Sequence, residues 1–424
     1  MLSLYLHIPF CAQKCEYCSF FVVPEDAANP EQLSSLKQRY LEQLTKEIIA
    51  TAANYQGVRI KTIYFGGGTP FQIWKEGLFH LLDTIVQHRE CEYLEEVSFE
   101  LNPDPTDQVL AFVEEAGRRY AQLYRLRFSF GIQSFDNSVL QEAKRRYTYE
   151  ELVPFLRELA RIKKLHMVYN ADFIAFGKTS TASAKTPVLR DEEKHNFFYK
   201  FAHSHTMDGF SLYALELSEW SERFNQNRHA RPDQKRGTND DALMDEFHLL
   251  KKIITNAGYK RYELSNFALP SKRSIHNMVY RTMHSYLGLW INASSFLRPS
   301  LITDGMQTRL QLSDSTTRES SQWVRFQNTH QRKAYLQGEW TDPATVQVLD
   351  QDTFDTEQLF LGLRTDHGIH HLTNYTHLLV PNRETLLTER QQQGLITYVD
   401  DRLKVTDQGY DVYNHLITSL LQTI

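Results

Sequence analysis

The feature that most restricts the fold of this chain is the alternation of strand-like and helix-like segments through its first half. Leu2–Ile8, Lys61–Phe65, Glu96–Leu101, Leu126–Gly131, Met167–Ala175 and Phe210–Leu217 read as strands. Between them apolar residues recur at helical spacing, as at Leu36, Tyr40, Leu41, Leu44, Ile48 and Ile49, and again at Leu78, Phe79, Leu82, Ile85 and Val86. Strand–helix units in such a succession call for a parallel sheet with helices packed outside it. Functional residues then belong at the C-terminal ends of the strands.

The most distinctive residues do stand at those ends. Three of the four cysteines, Cys11, Cys15 and Cys18, follow the first strand with the spacing Cys-x3-Cys-x2-Cys. A loop this short can bring three thiolates around one metal centre, and thiolates suit zinc or iron–sulfur clusters. A structural zinc site is normally closed by four ligands. Three cysteines leave a position open, which suggests chemistry. Zinc held by these cysteines and a distant histidine stays open as an alternative. A disulfide framework does not suit four cysteines in 424 residues. Cys91, in a polar stretch, reads as incidental. The second strand ends at Gly66-Gly67-Gly68-Thr69-Pro70, where glycines permit close backbone approach and positive φ. The third ends at Glu100-Leu-Asn102-Pro103, where a glutamate either caps the next helix or faces a ligand.

The cysteine spacing, together with Tyr5-Leu-His-Ile-Pro-Phe before it, resembles the radical S-adenosylmethionine (SAM) proteins. The similar branch is that of the oxygen-independent coproporphyrinogen III oxidases and the HemW-type haem chaperones. The resemblance implies a partial (β/α)6 barrel in the α/β class and a 4Fe–4S cluster held by Cys11, Cys15 and Cys18. It implies that SAM binds the fourth iron and is cleaved on reduction, with the cofactor carrying the chemistry. It also implies SAM contacts from Gly67, Gly68 and Thr69 in the glycine-rich turn, and from Glu100. Arg127-Phe-Ser-Phe-Gly-Ile-Gln133-Ser-Phe135 resembles the family's Arg-x-Ser-x-Gly-x-Gln-Ser-Phe, and Arg145 follows twelve residues later. By the same resemblance Gln133, Arg145 and Asp172 line the SAM pocket, joined by the aromatic residues Tyr5 and Tyr17. On its own, a Tyr reads equally well as core and an Arg as solvated.

The resemblance extends nearly to the C-terminus. Tyr262-Glu-Leu-Ser-Asn-Phe267 and His276-Asn277-Met-Val-Tyr280 follow the branch's Tyr-Glu-x-Ser-Asn-Phe and His-Asn-x-x-Tyr elements, the second implicated in haem binding. This makes His276 a candidate haem residue, since histidine is a usual haem ligand. The oxidases carry a fourth cysteine two residues after the third. Here Phe20 stands there, as in the chaperones. Several residues depart from the branch: Arg281 for the Trp closing the haem element, Trp290 for a glycine, Ala175-Phe-Gly-Lys178 for Gly-Leu-Pro-Gly, and Tyr147 for a frequent His. The expected organisation is a radical SAM barrel over 1–220, a connector with the haem-site extension over 221–335, and a winged-helix-like α+β unit over 336–424. The function implied is haem chaperoning, with delivery to acceptors such as respiratory cytochromes and an electron donor to the cluster. The alternative is oxidative decarboxylation of coproporphyrinogen III to protoporphyrinogen IX.

Composition bounds these expectations. A formal net charge of −5 argues against a general nucleic-acid or membrane-surface binder. No apolar run reaches the length of a membrane span, and the N-terminus lacks a basic region before its apolar residues. A cytoplasmic location, compatible with an oxygen-sensitive cluster, is expected.

Overall fold

A computed structural model describes residues 1–25, 29–177, 192–216, 240–312 and 322–421. Six parallel strands form its centre: β1 (Leu2–Ile8), β2 (Ile60–Gly67), β3 (Glu96–Leu101), β4 (Arg125–Gln133), β5 (Met167–Ala175) and β6 (Gly209–Ala214). They lie side by side in chain order, each hydrogen-bonded to the next. Helices α1 (Pro30–Ala53), α2 (Trp74–His88), α3 (Thr106–Tyr120), α4 (Asn137–Glu142), α5 (Tyr149–Ile162) and α6 (Glu192–His203) make the crossovers. The strand expected over Phe210–Leu217 ends at Ala214, and Leu217 lies outside the described residues.

Side chains alternate between the faces of a strand, and here the alternation separates polar from apolar. One set of alternate positions is apolar and buried: Leu4 and Leu6 on β1, Ile63 and Phe65 on β2, Val97 and Phe99 on β3, Phe128 and Phe130 on β4. These pack against the helices, as where Phe112 of α3 meets Phe99 and Phe128 edge-on at 5.2 and 6.2 Å. The other set is polar: Ser3, Tyr5 and His7; Thr62 and Tyr64; Ser98 and Glu100; Arg127, Ser129 and Gln133; Asn170 and Asp172; Ser211 and Tyr213. The concave side of the sheet is therefore a polar lumen rather than a second apolar core.

Both edges of the sheet are extended by later residues, giving twelve strands. Beside β6 lie the antiparallel strands β7 (Lys260–Glu263) and β8 (Asn266–Ala268), preceded by α7 (Asp240–Asn256). After α8 (Ile275–Arg281), β9 (Tyr286–Leu289) pairs in parallel with β1. Then β10 (Ser294–Leu297), β11 (Trp323–Gln327) and β12 (Gln347–Leu349) continue outward, antiparallel. The sheet thus draws strands from each of the three expected segments, and the 220/221 division falls outside the described residues.

Beyond β12, α9 (Gln351–Gly362), β13 (Ile369–His370), α10 (Arg383–Gln392) and the hairpin β14 (Ile396–Val399)–β15 (Arg402–Val405) are followed by α11 (Tyr413–Leu420). Leu359, Leu363, Leu372, Leu403, Leu416 and Ile417 give this unit a core of its own. Among the described residues, no helix is long and apolar enough to cross a membrane.

Candidate functional site

The cysteine loop leaves the C-terminal end of β1 and is closed by a short parallel pairing of Phe10–Cys11 with Val23–Pro24. Within it the Cys18 amide donates to the Cys15 carbonyl at 3.1 Å, a turn that brings the two residues to one side. The glycine-rich turn after β2 is tied to this loop by its backbone: Gly68 N donates to Ile8 O at 2.7 Å and Thr69 N to Phe10 O at 2.8 Å. Gly67 has φ +106°, and a Cβ there would stand 2.5 Å from the His7 ring; a Cβ on Gly68 would stand 2.7 Å from the Phe10 carbonyl. Only glycine permits this approach.

These elements frame a cavity of about 400 Å³ at the C-terminal ends of the strands. Cys11, Cys15, Cys18, Tyr17, Gly67, Gly68, Thr69, Glu100, Gln133, Arg145 and Asp172 all line it. One hydrogen-bond chain crosses its wall. Cys11 Sγ lies 3.7 Å from Thr69 Oγ1, which accepts from Asn102 Nδ2 at 3.0 Å; Asn102 Oδ1 accepts from Arg145 Nη1 at 3.1 Å. Glu100 does not cap the following helix. Its Oε1 accepts from the Tyr64 hydroxyl at 2.6 Å and its Oε2 from Gly67 N at 3.2 Å. Burial pushes the Glu100 carboxyl up to about 7, the Tyr64 hydrogen bond opposing the shift and nearby Asp172 adding to it. Asp172, held by Ser129 Oγ at 3.0 Å and Asn170 Nδ2 at 2.8 Å, is likewise raised by burial. Burial also raises the Cys11 thiol to about 12 and shifts Cys18 upward.

Tyr5 and His276 are not among the lining residues. The Tyr5 hydroxyl is 3.2 Å from His7 Nδ1. His276 is fully buried on the lumen face of the sheet, against Thr62 and Tyr64. Its Nδ1 lies 2.7 Å from Thr62 Oγ1 and its Nε2 2.7 Å from the Tyr280 hydroxyl, so both ring nitrogens are engaged. Burial and the field of Arg127 lower its pKa to about 3, which keeps the ring neutral. Its neighbour Asn277 is the residue of that element that reaches the cavity.

Three departures from the family pattern have side-chain partners, and in the fourth Phe176 and Gly177 donate their amides to Glu246, while Lys178 lies outside the described residues. Arg281 pairs with the buried Glu263 at 2.8 Å. Trp290, at φ +86°, packs edge-on between Tyr40 and Tyr335 at 4.3 and 4.2 Å. The Tyr147 hydroxyl donates to the Gly131 carbonyl. Cys91 is buried in the core, away from the cavity.

Arg127, Ser129, Tyr213 and Asn277 also line the cavity, and sequence reasoning did not single them out as site residues. The signal for the strand residues was present. In Arg127-Phe-Ser-Phe-Gly-Ile-Gln133 every second residue is an apolar one facing the helices, so the intervening residues share the lumen face.

The residues fit an iron–sulfur cluster with SAM beside it. Three cysteines line one cavity, a glycine cradle lies next to them, and three of the lining residues carry buried polar atoms without partners: Gln133 Oε1, Arg145 Nε and Arg127 Nη1. Among the described residues, no three His, Cys, Asp or Glu side chains form a group that could hold a single metal ion as they stand. A single tetrahedral zinc would hold sulfurs only about 3.8 Å apart, given Zn–S bonds of about 2.3 Å.

Residues 5–179 match the Radical SAM superfamily, and the chain carries a radical SAM domain. Over nearly its whole length it is similar to the haem chaperone HemW of Lactococcus lactis subsp. lactis strain IL1403, with 26% identity over 430 residues, 99% of this chain and 97% of the relative. The haem chaperone HemW of Haemophilus influenzae is 28% identical over 425 residues, 99% of this chain and 98% of the relative. Among solved structures, the coproporphyrinogen III oxidase HemN from Escherichia coli, a radical SAM enzyme, matches with a TM-score of 0.69 at 19% identity, covering 99% of this chain and 89% of that one. That likeness shows a shared fold.

Proposed function

We propose that this protein is a haem chaperone of the radical SAM type, binding a 4Fe–4S cluster, SAM and haem and passing haem to acceptor proteins. The observation that carries the reading is the residue at the fourth-cysteine position of the oxidase branch. Phe20 stands there, 60% exposed at the cavity wall, so this position offers an apolar surface instead of a thiol. The full-length similarity to HemW proteins supports it.

Cys11, Cys15 and Cys18 would hold the cluster, and their thiols must lose their protons to do so. Gly67, Gly68, Thr69, Tyr17, Glu100, Gln133, Arg145 and Asp172 would surround SAM. When bound, the reduced cluster supplies the electron that cleaves SAM. The chain's own part is to desolvate the site, orient the ligand through the Glu100–Gly67 and Arg145–Asn102–Thr69 hydrogen bonds, and exclude water. Haem-accepting proteins such as respiratory cytochromes, an electron donor to the cluster and a cytoplasmic setting belong to this reading.

The test is an anaerobic haem titration of the cluster-reconstituted protein, followed by its Soret band. Saturation near one haem per chain is expected. Absence of saturable binding, with SAM-dependent conversion of coproporphyrinogen III, would replace this reading with the decarboxylase. The intact SAM-side residues of the cavity are what keep that second reading in play.

A further inference from the structure

Arg127 is a buried arginine without an anion. It is 2% exposed, and its Nη1 has no hydrogen-bond partner. No carboxylate lies within ion-pair distance of it among the described residues. Leaving a guanidinium unpaired in a desolvated site is costly, and Arg127 is one of the residues that line the cavity. The groups whose charge it feels are Tyr64, Tyr262, Glu96 and Asp172. Glu96 is taken by Arg125 at 2.9 Å, and Asp172 by Ser129 and Asn170. Neither is paired with Arg127.

We infer that Arg127 binds a carboxylate of the porphyrin ligand at the floor of the lumen, with Asn277 beside it and Phe20 and Tyr213 flanking the apolar body. This rests on the porphyrin reading of the site. A carboxylate enters such a cavity from two sources, a porphyrin propionate or the amino-acid end of SAM, and the experiment below separates them. Arg127 is in register with Ser98 and Val168. It stands six residues before Gln133, roughly 20 Å along a strand. The cysteines and the glycine turn are at the Gln133 end. Arg127 is the deepest of the lumen residues of β4, two positions below Ser129, which is in register with Glu100. Phe20 and Tyr213, 60% and 44% exposed, supply apolar surface on the same cavity. An anionic group on a flat apolar body therefore matches the charge and the lining together, and guanidinium–carboxylate pairing is the strong, geometrically specific contact available.

The experiment compares coproporphyrin III with its tetramethyl ester, and haem with its dimethyl ester, on the cluster-reconstituted wild type and on Arg127→Met. The wild type is expected to prefer each acid over its ester on the order of 10- to 100-fold. Arg127→Met should lose that preference by weakening the acid, with SAM affinity unchanged and a ligand-free Tm equal to or above wild type. Equal binding of acid and ester by the wild type overturns the inference even if the variant does not fold. So does a variant that keeps the preference, or one that loses SAM instead of porphyrin. A lowered Tm with unaltered porphyrin affinity would make Arg127 structural. The two readings fail separately. Saturable haem binding without an acid preference removes only the role of Arg127. Acid-selective binding of coproporphyrin III without haem binding removes only the chaperone.

Discussion

His276 sits in a motif that points toward haem, yet its imidazole is spent inside the protein. Thr62 and Tyr280 hold its two nitrogens, and the Tyr64 ring packs against it at 4.8 Å. His276→Ala should therefore cost about 2–4 kcal/mol of stability at neutral pH, from the cavity and the stranded Tyr280 hydroxyl, Thr62 keeping its bond to Ser3. The haem titration of the folded variant should be unchanged. Denaturant unfolding and the Soret titration check the two halves. The cysteines divide in the opposite sense. Cys11→Ser, Cys15→Ser and Cys18→Ser should each abolish cluster assembly, whereas Cys91→Ser should retain it, as measured by iron and sulfide per chain after anaerobic reconstitution. At this scale the motif residues of the cavity wall were readable from spacing and family pattern. Arg127 was not singled out although strand alternation puts it on the lumen face with Ser129, and Asn277 was not because a short helix does not reveal which neighbour of a motif residue faces the cavity. Adjacent His276 and Asn277 went to opposite environments.

Elements place these residues, and two joints between elements can be tested. The turn after β2 needs Gly67 at positive φ against the His7 ring. Gly67→Ala should cost about 1–3 kcal/mol and weaken SAM binding more than it weakens haem binding, read by calorimetric titration of each ligand. The second joint is Glu246 of α7, whose Oε2 accepts from Phe176 N at 3.0 Å and Gly177 N at 2.9 Å just past β5. Burial raises its carboxyl to about 7 from a usual value near 4.5, against the pull of those two amides. Between these values the folded state holds a proton that the unfolded state has released, so stability falls as pH rises from 4.5 to 7 and the loss is complete above 7. Glu246→Gln should remove this slope, gaining on wild type at pH 8 relative to pH 4.5 in thermal melts. A parallel shift of both proteins would show that Glu246 does not titrate this way. The strands themselves were legible. Leu2–Ile8, Glu96–Leu101 and Met167–Ala175 have the bounds expected of them, because buried apolar residues recur strongly there. The pairing of β9 with β1, Ser3 opposite Tyr286, was not legible. Hydrophobic periodicity marks a strand but carries no record of a partner nearly three hundred residues away.

In the molecule as a whole, the lumen is held by a sheet whose far edges come from the second half of the chain, and the C-terminal unit grips one of those edges. The grip combines backbone bonds, Leu264 N to Arg364 O at 2.9 Å and Asp366 N to Tyr262 O at 3.1 Å, with a cluster of ion pairs. Arg261 of β7, with its side chain 6% exposed, reaches Asp407 at 3.0 Å and Asp411 at 3.2 Å, while Lys251 of α7 reaches Asp411 at 2.7 Å. Arg273 pairs bidentately with Asp366, and Arg364 approaches Glu263 at 3.5 Å. Exposed pairs contribute little, but Arg261 is buried, and losing one of its two carboxylate partners leaves that charge less compensated. Asp411→Ala should therefore lower stability by about 1–3 kcal/mol. It should speed amide exchange across residues 359–420, whose core is separate from that of the barrel, and leave β1–β4 protected. Equal loosening of both regions would mean the two cores melt as one. Selective loosening would mean that the C-terminal unit can relax while the cysteine loop and glycine turn stay fixed to β1 and β2. Those two turns are joined to each other by the Gly68 and Thr69 backbone bonds, not through the C-terminal unit. Cluster assembly should accordingly survive Asp411→Ala, and any effect on haem binding should enter through the β7–α8 side of the lumen, where Asn277 is carried.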